Sequence, residues 1–367
     1  KHINQVVLID YTIIILGVYD LNRYIFLLIF FILFLVSGCS EEKEVKPIKS
    51  KEPISVDKKN DFVEKDIAQS IRNELSDMDI VVSNCLLNGN EKYIFYCKTI
   101  EEETLKETIY QYSYEESEVW QKEEVSWGNV IKGKLAKGET LSFISYGFDM
   151  KLYALFQNNG DSLPYNLYKI DEETNEVDKV QLSCLGKQDN LESMPVYVGV
   201  FQSGNVLIQK ANGEVEWYDS NTGEQKGFYS GMPHKLFMGR DNFYAVDNMN
   251  SQIVKVSEDS GKEVEIFSLK DEALLRSDRV GTELQIEVFE NGDDDIFIMT
   301  PSGIFEVDDA TKRKVKLISA SESKAFNNVG NNTMGLLEKD GNIVLMSQEA
   351  VEEGIQLYAY EYVLGKQ

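Results

Sequence analysis

The sequence predicts an all-β protein, a β-propeller of about six four-stranded blades behind a signal peptide and a flexible tether. Three observations support this prediction. An apolar run near the start of the chain ends in a cysteine, a polar segment follows it, and a unit of short strands and acidic turns then recurs. We therefore divide the chain into a leader with its signal peptide (1–38), a tether (39–61) and a propeller domain (62–367).

The leader contains thirteen consecutive apolar residues, from Tyr24 to Val36, directly after Arg23. As a helix this run would rise about 20 Å, which is too short for the ~30 Å hydrocarbon core of a membrane but typical of a signal peptide. Because the signal is complete from Leu21 onward, we expect translation to start there.

The apolar run ends in Val36-Ser37-Gly38-Cys39, which resembles the bacterial lipobox. The resemblance implies a lipoprotein signal peptide that is cleaved before Cys39, lipidation of the Cys39 thiol, and a lipid-anchored location on the extracellular face of the cell membrane. The alternative is a transmembrane anchor that ends in a chance cysteine. The tether that follows contains Pro47, Pro53 and mixed charges, so we expect a flexible coil with an average span of about 25 Å.

The composition excludes several classes of function. The chain has 62 acidic and 37 basic residues and a formal net charge of −25, which repels phosphate backbones, so we expect no nucleic-acid partner. The only histidines are His2 and His234, which argues against most zinc sites and most Ser-His or Cys-His nucleophiles. We expect no catalytic residues, no cofactor and no metal site.

Three cysteines remain besides Cys39, an odd number that cannot pair completely. Cys85 and Cys97 flank the turn-like sequence Asn88-Gly89-Asn90. They either form a disulfide between adjacent strands or remain buried thiols, as Cys184 would.

The propeller prediction rests on a recurring unit of strand, turn, strand and acidic turn. The clearest copy contains a strand at 204–208, the turn Asn212-Gly213, a strand at 215–218 and the acidic turn 219–223. Similar copies begin at Leu152, Phe243 and Ile296, and weaker ones begin near Tyr93 and Asn342. The acidic turns are 48, 38 and 51 residues apart, starting at Asp171, Asp219, Ser257 and Asp308. These intervals are close to the roughly 40–50 residues of a blade. Their unevenness favours the alternative, a β-sandwich.

Two further expectations concern the ends of the domain. Apolar residues recur every four positions and predict a short helix at 61–76, with Val63, Ile67, Ile71 and Leu75 on one face. At the other end, 357–360 should pair with a strand near Ile80-Val81-Val82 in the first blade, because a ring of blades must close.

The repeats resemble two groups of known proteins. The turn from Tyr218 to Gly223 is similar to the blade turn of quinoprotein-like propellers, but residues 225–228 lack the tryptophan that usually follows, so no quinone cofactor is implied. The last third resembles the N-terminal propeller region of Gram-positive extracellular solute-binding lipoproteins of ABC importers, in segments 295–298, 302–305, 316–318, 341–345 and 357–360. This resemblance implies a link to solute import, and we expect the chain to be the propeller half without the solute-binding domain.

Four candidate features have competing interpretations. Asp293-Asp294-Asp295 is either a calcium site or a solvated hairpin turn. The turn 257–261 partly resembles the Asp-box of sialidases, but Val264 stands where an aromatic residue belongs. Three tryptophans could stack on sugars or belong to the core, namely Trp120, Trp127 and Trp217. Paired carboxylates for glycoside hydrolysis could exist among the many acids, but no spacing singles out a pair.

We expect a non-enzymatic, lipid-anchored propeller that binds a ligand or partner protein, with transporter components as possible partners. The alternatives are an envelope-assembly scaffold and an extracellular glycan-active enzyme. The first of these would present strand edges to its partner.

Overall fold

The computed structural model describes the chain between Phe62 and Leu364 with gaps: residues 62–75, 79–80, 86–87, 93–101, 106–114, 119–132, 139–158, 165–186, 191–247, 249–270, 286–291, 295–311, 313–323, 326, 332–351 and 354–364. The leader, Cys39 and the tether lie outside these residues. What the sequence predicts for them therefore stays a prediction.

The described residues form six antiparallel blades arranged in a ring, which confirms the predicted β-propeller. The strands of the first blade are β2 (Asp79–Ile80), β3 (Leu86–Leu87), β4 (Tyr93–Glu101), β5 (Lys106–Tyr114) and β6 (Trp120–Glu124). Both β2 and β3 pair with β4, so together they occupy the place of one innermost strand.

Blades two to five each consist of four strands that follow one another in sequence. The second contains β7 (Glu139–Tyr146), β8 (Leu152–Asn158), β9 (Tyr165–Asp171) and β10 (Glu176–Val180). The third contains β11 (Pro195–Val200), β12 (Val206–Lys210), β13 (Val215–Tyr218) and β14 (Gln225–Tyr229). The fourth contains β15 (Lys235–Met238), β16 (Asn242–Asp247), β17 (Gln252–Ser257) and β18 (Glu263–Ser268). The fifth contains β19 (Glu287–Glu290), β20 (Ile296–Thr300), β21 (Gly303–Val307) and β22 (Lys314–Ser319).

The sixth blade combines both ends of the described chain. Its inner strands are β23 (Asn332–Lys339), β24 (Asn342–Val351) and β25 (Gly354–Leu364), and its outermost strand is β1 (Phe62–Asp66). β1 pairs with β25 from Phe62 opposite Leu364 to Asp66 opposite Tyr360. The expected closure through the C-terminal strand is therefore present, but its predicted partner is wrong. Ile80 pairs with Cys97 in the first blade, and residues 81–82 lie outside the described residues.

The helix predicted at 61–76 is also wrong, because residues 62–66 are extended and only Arg72–Glu74 form a 3-10 turn. Ile67, Ile71 and Leu75 are buried, whereas Val63 is 67% exposed on β1. The backbone oxygen of Ile67 accepts a hydrogen bond of 2.7 Å from the indole nitrogen of Trp120. The apolar recurrence thus reflects a strand and a compact turn that packs against the first blade.

The hydrophobic core lies in the seams between blades, because a four-stranded sheet can bury both faces only against its neighbours. Every residue of β20, a middle strand of its sheet, is buried. Trp217 of the third blade packs edge-on against Phe243 of the fourth, with ring centroids 6.0 Å apart. The outermost strands are polar instead. In β6, residues Gln121 to Glu124 are all exposed, which protects the sheet edge from pairing with other chains.

The recurring acidic turns join the third and fourth strands of their blades. In the third blade, Oδ1 of Asp219 accepts hydrogen bonds from the backbone N–H groups of Asn221 and Thr222, at 2.9 and 3.0 Å. These bonds, chiefly the one from Thr222, hold the pKa of Asp219 below its usual value. Asp171 and Asp308 make the same kind of turn. The repeat in the sequence is therefore a local backbone motif.

Helices are few in the part of the chain that the structure describes. They include α1 (Trp127–Lys132) and short 3-10 segments at Ser183–Leu185, Leu191–Ser193 and Ala320–Glu322. None of the described helices has the length and apolar character needed to cross a bilayer.

Candidate functional site

The ring of blades has two faces, which carry different connections. Successive strands of a blade run in opposite directions, so the connections alternate between the faces. We call the face with the second-to-third strand connections and the links between blades the upper face. The lower face carries the first-to-second and third-to-fourth strand connections, including the acidic turns.

A groove of about 500 Å³ opens on the upper face between the third and fourth blades. The end of β12, the connection 211–213, the link 232–234 and the end of β16 line it. The rim is apolar, with exposed fractions of 57% for Val196, 68% for Met232 and 94% for Met249. Exposed apolar side chains that line one groove mark a candidate interaction site.

A β-bulge places Val196 on the rim. Pro195 pairs with Lys210 and Tyr197 with Gln209, so Val196 is an extra residue without a partner on β12. Such a bulge bends the strand and redirects a side chain. Val196 thus stays exposed, although β11 is an inner strand whose next three residues enter the core or its margin.

Met232 reaches the rim through an unusual backbone conformation. Its φ of 47° lies in the left-handed region, which glycine occupies most readily. It packs over Gly213, where a β-carbon would come within 3.3 Å of the Met232 Cβ. A left-handed non-glycine residue costs on the order of 1 kcal/mol or more, and such residues cluster at functional sites. The fold therefore holds an apolar side chain in water at a conformational cost.

The charged groups of the groove, Lys210 and Asp247, are each held by neighbouring side chains. Nζ of Lys210 lies 2.8 Å from Glu216 and 3.4 Å from Glu214. The carboxylate of Asp247 accepts hydrogen bonds from the backbone and side-chain nitrogens of Asn250, at 3.0 and 2.6 Å. Burial alone would raise the pKa of Asp247, but the hydrogen bonds that it accepts keep the pKa below its usual value. Lys210, Glu214, Glu216 and Asp247 together carry a net formal charge of −2, in line with the acidic character of the chain.

His234 lies in the same groove with an exposed imidazole. The backbone nitrogen of His234 donates a hydrogen bond to the carbonyl oxygen of Val246 at 3.0 Å. Nε2 of Gln209 donates one to the carbonyl oxygen of Pro233, also at 3.0 Å. These two bonds fix the link between the blades. Since the other histidine is His2 in the leader, His234 is the single imidazole of the predicted mature chain.

An ion pair lies beside the groove at the upper ends of two inner strands. Lys235 of β15 contacts Glu287 of β19 and donates to the carbonyl oxygen of Ile286 at 3.2 Å. Glu287 is 2% exposed, and burial raises its pKa to about 7 against the opposing effect of Lys235. Burial, and after it the charge of Glu287, raises the pKa of Tyr197 in the third blade. This pair joins blades four and five through a group that titrates near neutral pH.

On the lower face, acidic residues near the turns connect neighbouring blades. Glu258 accepts hydrogen bonds from Oγ of Ser203 and Nδ2 of Asn205, both at 2.6 Å. Asp309 accepts one from Nζ of Lys255 at 3.0 Å. These carboxylates are engaged in the seams, so their clustering in the sequence has a structural role.

Two hairpins extend beyond their blades on the side of the ring opposite the groove. β4 pairs with β5 as far as Glu101, whereas β6 pairs with β5 only from Tyr110 onward. β24 pairs with β25 as far as Val351, whereas β1 pairs with β25 only from Tyr360. Both hairpins are second-to-third strand connections and therefore lie on the upper face. They belong to blades one and six, which face blades four and three in a ring of six.

The structure tests only part of the sequence-predicted sites. Cys39, Cys85 and 293–294 lie outside the described residues, so lipidation of Cys39 stays a prediction. The choice between a Cys85–Cys97 disulfide and buried thiols stays open, as does that between a calcium site and a solvated turn, although Cys97 itself is buried. Asp295 closes a hairpin, since its backbone nitrogen donates to Oδ1 of Asn291 at 3.0 Å. Among the described residues no group of three acidic, histidine or cysteine side chains is placed to hold a metal ion.

The tryptophans and the Asp-box-like turn have structural roles. Trp120, Trp127 and Trp217 are 8%, 2% and 2% exposed, so the sugar-stacking interpretation is wrong and the core interpretation is confirmed. The turn 257–261 closes on itself through the hydrogen bond from Gly261 N to the carbonyl oxygen of Ser257, at 2.9 Å.

Sequence reasoning missed the groove. Its strongest local signal is a methionine inside a turn, Gly231-Met232-Pro233, where exposed polar residues are usual. Met249 gives the same signal between two asparagines.

Neither protein-family models nor curated proteins match this chain. Several solved structures are similar to this chain. The extracellular domain of a protein described as a hybrid two component system of B. thetaiotaomicron is 11% identical with a TM-score of 0.43, over 82% of this chain and 43% of that one. The WD40 domain of Neurospora crassa Pan2 is 10% identical with a TM-score of 0.42, over 78% and 90%. Pyrococcus horikoshii acylaminoacyl peptidase is 9% identical with a TM-score of 0.41, over 81% and 47%.

This chain thus spans less than half the length of the two-component domain and of the peptidase. Such low identities and TM-scores say nothing about function. They do not extend signalling or peptidase activity to this protein.

Proposed function

We propose that this chain is a non-enzymatic, lipid-anchored propeller on the extracellular face of the cell membrane, and that it binds a partner protein through its upper face. The observation that carries this proposal is the apolar rim formed by Val196, Met232 and Met249. Burying one such side chain is worth roughly 1.5–3 kcal/mol. The rim is therefore a substantial source of binding free energy for a partner.

The anchor and the link to transport rest on the sequence. The lipobox-like residues 36–39 support lipidation, and the polar segment after them supports a domain held away from the membrane. The resemblance of the blade sequences to those of solute-binding lipoproteins supports a link to ABC-type solute import, in which the partner is a transporter component. The extended hairpins of blades one and six favour a second candidate, an envelope-assembly scaffold whose exposed strand edges receive its partner.

Site-specific photo-cross-linking in living cells tests this proposal. A photoreactive phenylalanine analogue replaces Met232 in one strain and Met150 in another. Met150 is the matched control, since it is also an exposed methionine (56%) with a left-handed backbone but lies on the lower face. We expect a defined cross-linked partner from position 232 and none from position 150, with both chains produced in equal amounts.

The identity of the captured protein separates the candidates. A permease or other importer subunit supports the transport link, and an envelope-assembly protein supports the scaffold. Equal cross-linking from both positions, or none from position 232, would refute binding through the upper face.

A further inference from the structure

We propose that the groove between blades three and four binds a soft monovalent cation, Cu(I), through the thioether sulfurs of Met232 and Met249 and the imidazole of His234. All three side chains line this groove. The proposal goes beyond the proposed function and does not depend on it. Three properties of the groove carry it, namely the kind of donor atoms, their position around one backbone hydrogen bond, and the charge of their surroundings.

The donor atoms are of the kind that selects Cu(I). Thioethers are soft, uncharged ligands that prefer Cu(I) to hard cations such as Mg²⁺ or Ca²⁺, and an imidazole also suits copper. The two most exposed side chains of the rim are both methionines, since Met232 is 68% and Met249 94% exposed. The scarcity of histidine, which argues against zinc, does not weigh against a site with two thioethers and one imidazole.

One backbone hydrogen bond keeps the three donors close together. The backbone nitrogen of His234 donates to the carbonyl oxygen of Val246 at 3.0 Å. Met232 is two residues before His234 and Met249 is three residues after Val246, so each methionine is at most roughly 11 Å along the chain from this bond. A turn closed by a hydrogen bond across residues 247–250 shortens the path to Met249 further.

The backbone of Met232 gives its side chain a defined direction. Its φ of 47° is left-handed, and its Cβ lies over Gly213, where an added β-carbon would come within 3.3 Å of it. Residues held in such conformations cluster at functional sites. A metal ligand has a reason to be held outward in this way, because its sulfur must stay accessible to the ion.

The charge around the groove favours a cation. Lys210, Glu214, Glu216 and Asp247 together carry a net formal charge of −2, whereas the thioethers carry none. A bound Cu(I) therefore enters a negative field, which attracts cations. Both carboxylate oxygens of Asp247 already accept hydrogen bonds from Asn250, so the groove offers hard divalent cations fewer of the oxygen ligands that they require.

Methyl NMR with Ag(I), a redox-inert probe for Cu(I) sites, tests the ligands directly. The complete chain, reconstituted in lipid nanodiscs with ¹³C-methyl methionine and ¹⁵N-histidine, is titrated with silver nitrate. We expect the methyl signals of Met232 and Met249 and the imidazole signals of His234 to shift together and to stop shifting at one equivalent. Among the nine methionines, Met150 is the internal control, because it is 56% exposed on the lower face and should not shift.

Competition with the chromogenic chelator bicinchoninate, without oxygen, measures the Cu(I) affinity. Met232→Leu/Met249→Leu keeps the apolar surface but removes both sulfurs, His234→Gln removes the imidazole, and Met150→Leu is the matched control. We expect the first two to weaken Cu(I) binding at least about tenfold, since even the outer partners of metal ligands contribute about 10–100-fold. The control should bind as the original chain does. Unchanged positions of the remaining methyl signals show that each variant is folded.

The proposal would be overturned by unshifted Met232 and Met249 signals, by equal shifts at Met150, or by unchanged Cu(I) affinity in the double methionine variant or in His234→Gln. Metal held only by the cysteine thiols of the chain would give the first of these results. A partner cross-linked from position 232 without Cu(I) binding would refute only the metal site. Cu(I) binding without a cross-linked partner would refute the proposed function and leave the metal site standing.

Discussion

Arg72 fastens the two ends of the described chain, and its replacement tests whether the ring unfolds as one unit. Its Nε donates to the carbonyl oxygen of Leu357 on β25 at 3.0 Å, and its Nη2 lies 2.9 and 2.7 Å from the two carboxylate oxygens of Asp66. The guanidinium also lies over the ring of Tyr358, 5.8 Å from its centroid. Arg72 thus holds β1 and the turn after it against the C-terminal strand.

The size of the effect follows from these contacts. A hydrogen bond from a charged donor contributes about 1.5–3 kcal/mol. The ion pair adds only about 0.2–1 kcal/mol, because the side chains of Arg72 and Asp66 are 25% and 32% exposed. Arg72→Met keeps most of the aliphatic stem, so we expect it to lower the free energy of unfolding by about 2–3 kcal/mol. For a domain of this size, Tm should fall by roughly 3–5 °C.

Asp66→Asn is the matched control, because it removes the ion pair but can still accept the hydrogen bond from the backbone nitrogen of Ala68. It should cost less than about 1 kcal/mol. Urea unfolding followed by tryptophan fluorescence gives the free energies. Hydrogen exchange with mass spectrometry shows which peptides open.

If the ring is cooperative, Arg72→Met accelerates exchange in β1 and also in β16 of the distant fourth blade. Faster exchange confined to 62–75, with an unchanged urea midpoint, would mean that the terminal strand frays independently. The reasoning about closure would then be wrong.

Three further predictions address packing, pH and the anchor. Gly227→Ala should lower the free energy of unfolding by about 1–3 kcal/mol in thermal melts, because the new β-carbon would lie 2.1 Å from Cζ2 of Trp217. The control Phe228→Ala, at a 68% exposed position, should change it by no more than about 0.5 kcal/mol. Equal Tm values for the two variants would contradict the packing argument. Glu287 binds more protons in the folded state, because its pKa of about 7 exceeds the unfolded value near 4.5. The free energy of unfolding should therefore fall by on the order of 3 kcal/mol as the pH rises from about 4.5 to 8. In urea titrations Glu287→Gln should lack this slope, and a parallel slope in the variant would show that other groups cause it. Cys39→Ala should release the protein from membranes or leave it uncleaved in fractionation and mass measurements, and normal processing with unchanged membrane partition would exclude lipidation at that residue.

The blades were predictable because their signals are local. The strand at Val215–Tyr218 was predicted with its observed bounds, because valine, tryptophan and tyrosine favour strands and Asp219 starts a turn by accepting hydrogen bonds from the backbone that follows it. Such turns depend on neighbours in sequence and on no distant contact. The recurrence of that motif was enough to indicate repeated sheets, and the uneven intervals arise from connections of different length between blades.

The closure and the groove were not predictable, because distant contacts determine them. Ile67 and Ile71 recur as in a helix, but their burial against the first blade and the pairing of Asp66 with Tyr360 favour an extended strand and a tight turn. The groove depends on the bulge at Val196, which is a property of the register between β11 and β12. It also depends on the left-handed backbone of Met232, which the sequence does not specify by residue type.

The mixed origin of the sixth blade also determines the order in which the protein can be completed. Blades one to five use strands that are adjacent in sequence, so each can form as soon as its own strands have been synthesised. β1 emerges first but has no partner until β25 follows. Arg72 and Leu357 are 285 positions apart, and closing so large a loop costs about 5 kcal/mol of chain entropy. The ring is therefore completed last, and until then the apolar residues after β1 can pack against the first blade but not against the sixth.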